Sequence, residues 1–409
     1  MSRFLPALCF AAGMLAAWLP CSLPARAEIP DNTVRVGVLT DMTGPFADQG
    51  GPGSVVAAKL AAEDFAAESK GLKVEILSAD HQNKPDIGAG IAAKWVDQHG
   101  VDAVVDLPNS GVALAVAGVM REKHRVALAS SAMSSAMTGK ACAPTTVQWV
   151  SDTWVQGAST VAAMHKLGGD SWYFITVDYA LGQALEGDAT TALAAIGGKA
   201  LGSTRLPLGT TDFGSALLQA QGSGAKVLAL ANTGADAINA VKQAGEFGLI
   251  KNGVKLAALF MMLSDIQSIG LPAAHGLQLT EAFYWDLNDN TRAWSKRWSE
   301  RMNGRMPTQD QAGVYSTTLA YLRAVRDAQT IVGAKVVEAM RKAPIQDKLF
   351  GTVTIRPDGR AVHDMYLFQV KTPAQSKGPW DLYTLQQTIP GSAVFRPLSV
   401  GGCPLIKRP

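Results

Sequence analysis

The stretch from Val34 to Phe65 constrains this chain more than any other. Val34, Val36, Val38 and Leu39 form an apolar run that ends in a turn-rich loop. That loop holds Thr43, Gly44 and Pro45, then Gly50, Gly51, Pro52 and Gly53, and an alanine-rich helical pattern follows. Strand, loop and helix in this order make the opening unit of a parallel α/β sheet. Such sheets take ligands at the carboxyl ends of their strands, where this loop falls.

Residues 1–27 read as an export signal. Met1, Ser2 and Arg3 give a short basic start, Phe4 to Leu19 is apolar with Pro6 and Gly13 inside it, and Ala25-Arg26-Ala27 fits the small-x-small cleavage rule. The mature chain is then expected to begin at Glu28. A membrane anchor competes with this reading, but the run is short for a span of ~20 residues and proline breaks it. A lipid anchor through Cys21 would call for a small residue where Pro20 stands. No later stretch is long and apolar enough to cross a bilayer, so the mature chain is expected to be soluble.

At 409 residues the chain is too long for one ordinary core, which predicts two domains. Thirty-seven Lys and Arg stand against 34 Asp and Glu, and Arg3 and Arg26 leave with the signal. So even a balance gives no support for nucleic-acid binding. Cys9 and Cys21 also leave, and Cys142 and Cys403 remain, each beside a proline in a loop. In an oxidising compartment a bridge between them is expected, with two free thiols as the alternative.

Strand and helix patterns alternate through residues 34–260. Strands are expected at 74–77, 103–105 and 126–129, with helices between them. The pattern restarts with a helix over 154–167, a strand over 171–175 and two further βα units, which predicts a second lobe built like the first. After Gly276 an extended piece over 277–285 precedes helices at 291–302, 310–328 and 334–341. The turn Pro357-Asp358-Gly359-Arg360 predicts a hairpin between strands at 350–355 and 366–370.

No catalytic constellation stands out: neither a G-x-S-x-G elbow, an H-E-x-x-H helix nor a phosphate-binding G-x-x-x-x-G-K-[ST] loop occurs. Asp286, Asn288 and Asn290 have calcium-loop spacing, but Thr291 and Arg297 stand where a glycine and a glutamate belong. The histidines lack metal-ligand spacing. No metal, cofactor or enzymatic activity is expected. What the strand-end loops do carry is small polar residues. These are Thr43, Asn109, Ser110, Ser130 and Ser131 in the first lobe, and Tyr179, Asn232, Thr233, Ser264 and Asp265 in the second. Hydroxyls and free N–H groups at helix starts suit a polar ligand group. Helix capping explains the same residue types without a ligand. Aromatics crowd the first loop (Phe46) and the expected lobe junctions (Trp149, Trp154, Phe283, Tyr284, Trp285), where they wall a cleft or simply pack.

With these residues in view, the chain resembles the periplasmic leucine/isoleucine/valine-binding protein family of ABC importers. The resemblance runs from about Val34 to Lys371. It rests on V-G-V-L-T-D-M-T-G-P-F-A-D-Q-G at 36–50, D-Y-A-L-G at 178–182 and A-G-V-Y-S-T-T-L-A-Y-L-R-A at 312–324. It implies a monomeric periplasmic protein of two α/β lobes that close on a small solute and hand it to a membrane permease. Three crossing strands are implied, near Val147–Asp152, Leu277–Trp285 and Ala343–Phe350. Lobe 1 is then expected at 28–148 plus 278–345, and lobe 2 at 149–277 plus 346–409.

Carried over residue by residue, the family's ligand contacts fall on Ser110 or Asn109 and on Ser131 to Met133, where Met133 replaces an expected threonine. In the second lobe the family's acidic contact falls near Leu263, with Asp265 close by, and a tyrosine expected near Asn232 is absent. An unpaired buried ammonium is costly. The expected ligand is therefore an apolar or aromatic carboxylate, or another small organic solute, against Met133, Met261, Met262 and Trp149. Branched-chain amino acid binding, service to a periplasmic sensor or enzyme system, and an exported α/β enzyme are the alternatives.

Overall fold

The computed structural model describes residues 29–249 and 252–406, together with Met1. The expected export signal, with Cys9 and Cys21 and its cleavage point at Glu28, lies outside the described residues. The first sheet is built from β1 (Thr33–Thr40), β2 (Lys73–Asp80), β3 (Ala103–Asp106), β4 (Val126–Ala129) and β5 (Thr146–Gln148) in the order β2-β1-β3-β4-β5. Every neighbouring pair is parallel. The helices α1 (Gly51–Ala66), α2 (Pro85–His99) and α3 (Ser110–Glu122) connect these strands. β1, β3 and β4 are covered on both faces, which explains their nearly continuous apolar sequences.

A second parallel sheet follows α4 (Thr153–Lys166). It contains β6 (Ser171–Val177), β7 (Lys199–Leu206), β8 (Val227–Ala231) and β9 (Lys255–Ala258) in the order β7-β6-β8-β9. Its helices are α5 (Ala180–Ala195), α6 (Gly214–Gly222), α7 (Gly234–Glu246), α8 (Leu263–Ile269) and the single turn α9 (Leu271–Ala274). The expected two α/β lobes are thus present.

The C-terminal third is shared between them. It contains β10 (Gln278–Glu281), α10 (Asp289–Ser299), α11 (Gln309–Ala328), α12 (Gly333–Arg341), β11 (Ile345–Asp347), β12 (Gly351–Ile355), β13 (Ala361–Val362), β14 (Met365–Val370) and β15 (Tyr383–Ile389). β12 pairs with β11 and β13, whereas β14 pairs with β10 and β15. The expected hairpin between 350–355 and 366–370 is therefore corrected. The turn at 357–360 does reverse the chain, but onto β13. Gly359 has φ of 85° there, and a Cβ on it would lie 2.4 Å from the Thr146 carbonyl oxygen. Only glycine lets this turn close against β5.

Packing supports another division of the C-terminal third between the lobes. Phe350, Val353, Ile355, Ala361, Val394 and Phe395 bury with Val34, Val36 and Val105 in the first core. Leu279, Phe368, Val370 and Tyr383 bury with Ile175 and Leu230 in the second. On that packing we propose that 345–365 and the tail from 389 belong with the first lobe, and 278–281 with 366–388 with the second. On that proposal the third passage between lobes would fall near 365–366 instead of 343–350, since β11 to β13 and Met365 bury with the first core.

A buried arginine joins these passages. Arg360 donates from Nη1 to Ser151 O at 2.8 Å and from Nη2 to Trp149 O, and it lies 3.8 Å from Asp152. Its guanidinium sits over the Phe395 ring, 4.6 Å from the centroid. Beside it, His363 Nε2 lies 3.0 Å from Trp149 O. Residues from three separate stretches, 149–152, 360–363 and 395, thus form one polar knot at the hinge.

Cys142 and Cys403 are bonded, with Cα atoms 5.7 Å apart across 261 residues of sequence. The bridge pins the tail to the loop before β5. A closed loop that long is worth ~5 kcal/mol in chain-entropy models, with measured gains often smaller. Among the described residues no helix is long and apolar enough to cross a membrane.

Candidate functional site

The loop between β1 and α1 is built to be rigid. Asp41 is buried at the end of β1, and its carboxylate accepts from Gly44 N at 2.7 Å, Phe46 N at 2.9 Å and Asn83 Nδ2 at 2.7 Å. Thr308 Oγ1 donates to Gln49 O at 2.6 Å, and Gln311 Nε2 to Gly50 O at 2.9 Å. So held, the loop reaches the second lobe. The Phe46 ring faces that of Tyr179 at 6.4 Å between centroids. Gln49 Nε2 donates to Thr233 Oγ1 at 3.0 Å and to Asp265 Oδ2 at 3.0 Å. Gly234, at φ of 60°, lies under Pro45; a Cβ there would be 2.7 Å from the Pro45 carbonyl oxygen. The lobes are therefore in contact across their strand ends.

The polar residues expected in the first lobe are engaged within it. Asn109 Oδ1 caps α3 by accepting from Gly111 N and Val112 N at 2.9 and 3.1 Å. Ser110 Oγ accepts from Ser134 N at 3.2 Å, Ser130 Oγ accepts from Asp106 N at 3.2 Å, and Ser131 Oγ donates to Asp106 Oδ1. Thr43 Oγ1 turns outward to Asp80. Met133 leaves its lobe and buries with Leu181, Phe260 and Met262 of the second. There Asn232 Oδ1, Tyr179 Oη and Ser264 Oγ are buried and have no hydrogen-bond partner among the described residues.

Two of the expected residues lie elsewhere. Tyr284 is packed among Phe368 and Tyr383 beneath β14 and β15, and its hydroxyl bonds the Trp380 carbonyl at 3.2 Å. Trp149 is wholly buried in the first core at the hinge. For both, packing at the lobe junction accounts for the aromatic side chain.

Beside Asp265, which the sequence singled out, stand Gln49 and three buried carboxyls that it did not. Asp106 ends β3, Glu281 ends β10, Asp310 stands in the first turn of α11, and Asp265 lies in α8. None forms an ion pair with Lys or Arg among the described residues. Burial pushes Asp106 up to about 6, Asp265 to about 7 and Glu281 to about 8. Asp310 is raised well above the usual carboxylate range, by burial first and then by Asp106, Glu281 and Asp265. Tyr383 donates to Glu281 at 2.8 Å, and Met262 N to Asp265 at 2.9 Å. Asp310 Oδ1 and Asp106 Oδ2 have no hydrogen-bond partner among the described residues. Asp106 and Gln49 had a signal, since each sits at a strand or loop end like the residues that were chosen. Glu281 and Asp310 had none, because their burial depends on elements distant in sequence.

A cavity of about 190 Å³ opens at the seam beside Asp265, which lines it with Pro45, Asp48, Ala235, Ile238 and Ser264. A larger groove of about 1040 Å³ runs between α11 and α12, past Arg323, Lys335 and Ile345, away from the carboxyl ends of the strands in both parallel sheets. Among the described residues no cluster of His, Cys, Asp and Glu has the arrangement to hold a metal ion. The arrangement at the seam supplies apolar and aromatic walls, neutral hydrogen-bonding groups and raised carboxyls. It is suited to enclosing a small organic molecule.

Residues 33–379 match the family model described as periplasmic binding protein. A periplasmic binding protein from Burkholderia mallei is 42% identical, with a TM-score of 0.89 over 92% of this chain and 100% of that one. A branched chain amino acid ABC transporter periplasmic ligand-binding protein from Burkholderia xenovorans is 38% identical, with a TM-score of 0.80 over 91% and 99%. An ABC transporter solute-binding protein from R. palustris in complex with benzoate shares the fold at 18% identity, with a TM-score of 0.76 over 91% and 99%. No curated protein matches the sequence.

Proposed function

This chain belongs to the periplasmic binding protein family that serves ABC transporters, and from that premise we propose that it captures a small organic solute lacking a free ammonium group. It is a solute-binding component of an ABC importer, and the solute is small. The finer reading is that residues 1–27 direct export to the periplasm, and that the ligand has an apolar or aromatic body and a carboxylate or neutral polar end. The observation that carries it is the state of Asp265. This buried carboxyl already takes its donors from Gln49 and Met262, all of them neutral and all from the protein.

Phe46, Tyr179, Met133 and Met262 supply walls for an apolar body. Raised carboxyls that keep their protons are donors, so a ligand carboxylate gains partners there without a cation. The R. palustris protein with benzoate illustrates that this fold takes an aromatic acid. One observation favours a second reading, an amine-bearing ligand such as a branched-chain amino acid. Asp310 Oδ1 is buried without a hydrogen-bond partner among the described residues and would welcome a cation.

A thermal-shift panel of amino acids, aromatic acids, short-chain acids, amides and polyols decides between them. A compound at a hundredfold excess over its dissociation constant stabilises by about 2.7 kcal/mol. Aromatic or branched acids are expected to raise the midpoint and amino acids to leave it in place. Stabilisation by leucine alone supports the second reading.

A further inference from the structure

Gln49 spans the seam between the lobes, and its side chain ends on an acid. Its backbone is fixed in the first lobe by Thr308, while its amide nitrogen reaches Asp265 and Thr233 in the second. The residue is 2% exposed. A carboxamide NH2 offers a carboxylate the same kind of N–H donor as a protonated amine, but without the charge. Asp265 is thereby satisfied from within the chain by a neutral group.

We propose that Gln49 is a specificity-determining residue that occupies the position on Asp265 a ligand's protonated amine would need, so that the closed site rejects primary amines. The inference rests on the ligand class given above and names the residue that sets it. An incoming ammonium would have to displace the Gln49 amide from Asp265. That would cost the Gln49–Thr233 bond as well, because one side chain makes both. The lobes would then close without this bridge. The fixed backbone of the loop leaves Gln49 little room to withdraw, since Asp41 anchors Gly44 and Phe46 and Gln311 holds Gly50. Burial holds Asp265 near neutral range, up to about 7, as befits an acid without a cationic partner.

The test uses matched pairs, leucine with 4-methylpentanoate and phenylalanine with 3-phenylpropanoate. Calorimetry is run on the wild type, Gln49→Ala, and Gln49→Ala combined with Asp265→Asn. In the wild type the acid of a pair is expected to bind at least about tenfold more tightly than its amine-bearing partner, the scale of one charged hydrogen bond. Gln49→Ala is expected to narrow or reverse that ratio by about tenfold or more, through a gain for the amine. Adding Asp265→Asn is expected to cancel the gain. The unfolding midpoint of each unliganded variant checks that it is folded. Equal loss for both members of a pair in Gln49→Ala overturns the inference while leaving the transport reading intact, as does a gain that survives Asp265→Asn. Absence of binding by every compound of this set and of the wider panel counts against the ligand class and this inference together.

Discussion

Between pH 6.5 and pH 9 the unliganded protein is expected to lose stability on the order of 3 kcal/mol. The loss comes from carboxyls buried without cations. Asp265 is pushed up to about 7, Glu281 to about 8, and Asp310 higher still. In the unfolded chain each titrates near 4. Above that pH the folded state binds more protons than the unfolded one, so stability falls as pH rises through the folded values. The full contribution is present only below about pH 4. Buried histidines act the other way at lower pH. Burial lowers His81 and His363 to about 4, so they cost stability as pH falls below their unfolded value of ~6.5. Starting at pH 6.5 separates the two effects. Urea unfolding at a series of pH values measures the slope, and Glu281→Gln is expected to flatten it. Stability that is constant or rises over this range contradicts the burial of these acids.

Arg360→Ala is expected to cost about 3–5 kcal/mol, the scale for removing one partner from a buried charged network. The substitution strips Ser151 O of its donor, leaves Trp149 O only His363, and leaves Asp152 without its nearby cation. It also removes the guanidinium from the Phe395 ring and leaves a cavity where several chain passages meet. Arg360→Lys is expected to recover a minor part. An ammonium can serve one carbonyl, but it cannot fork across two. Denaturant unfolding of both variants checks the order. A loss below ~1 kcal/mol for Arg360→Ala shows that the hinge does not depend on this knot.

The lobes were legible because their signals are local. Val34 to Leu39 followed by a glycine-rich loop and an alanine-rich helix reads as a βα unit in any context, and the same pattern recurs to Ala258. The C-terminal third was harder for a physical reason. The sequence around 357–360 specifies a turn, but not which strand receives the chain after it. Phe368 and Val370 find their partners in Leu279 and Tyr383, which are distant along the chain. The disulfide was readable because only two cysteines remain outside the expected signal. At the site, Asn109 was readable as a helix cap. The partner of Asp265 was not, since Gln49 lies 216 residues away. Nor was the fate of Tyr284, whose place beneath β15 depends on how the last strands pair.

Closure on a ligand is tested by small-angle X-ray scattering of the protein with and without a compound that stabilises it in the thermal-shift panel. A ligand favours the closed form only through contacts that the open form lacks. In the closed form Gln49 reaches Asp265 and Phe46 faces Tyr179. Saturating ligand is expected to lower the radius of gyration to the value calculated from this structure. A ligand that binds tightly and leaves the scattering curve of the free protein unchanged contradicts capture by closure of the two lobes.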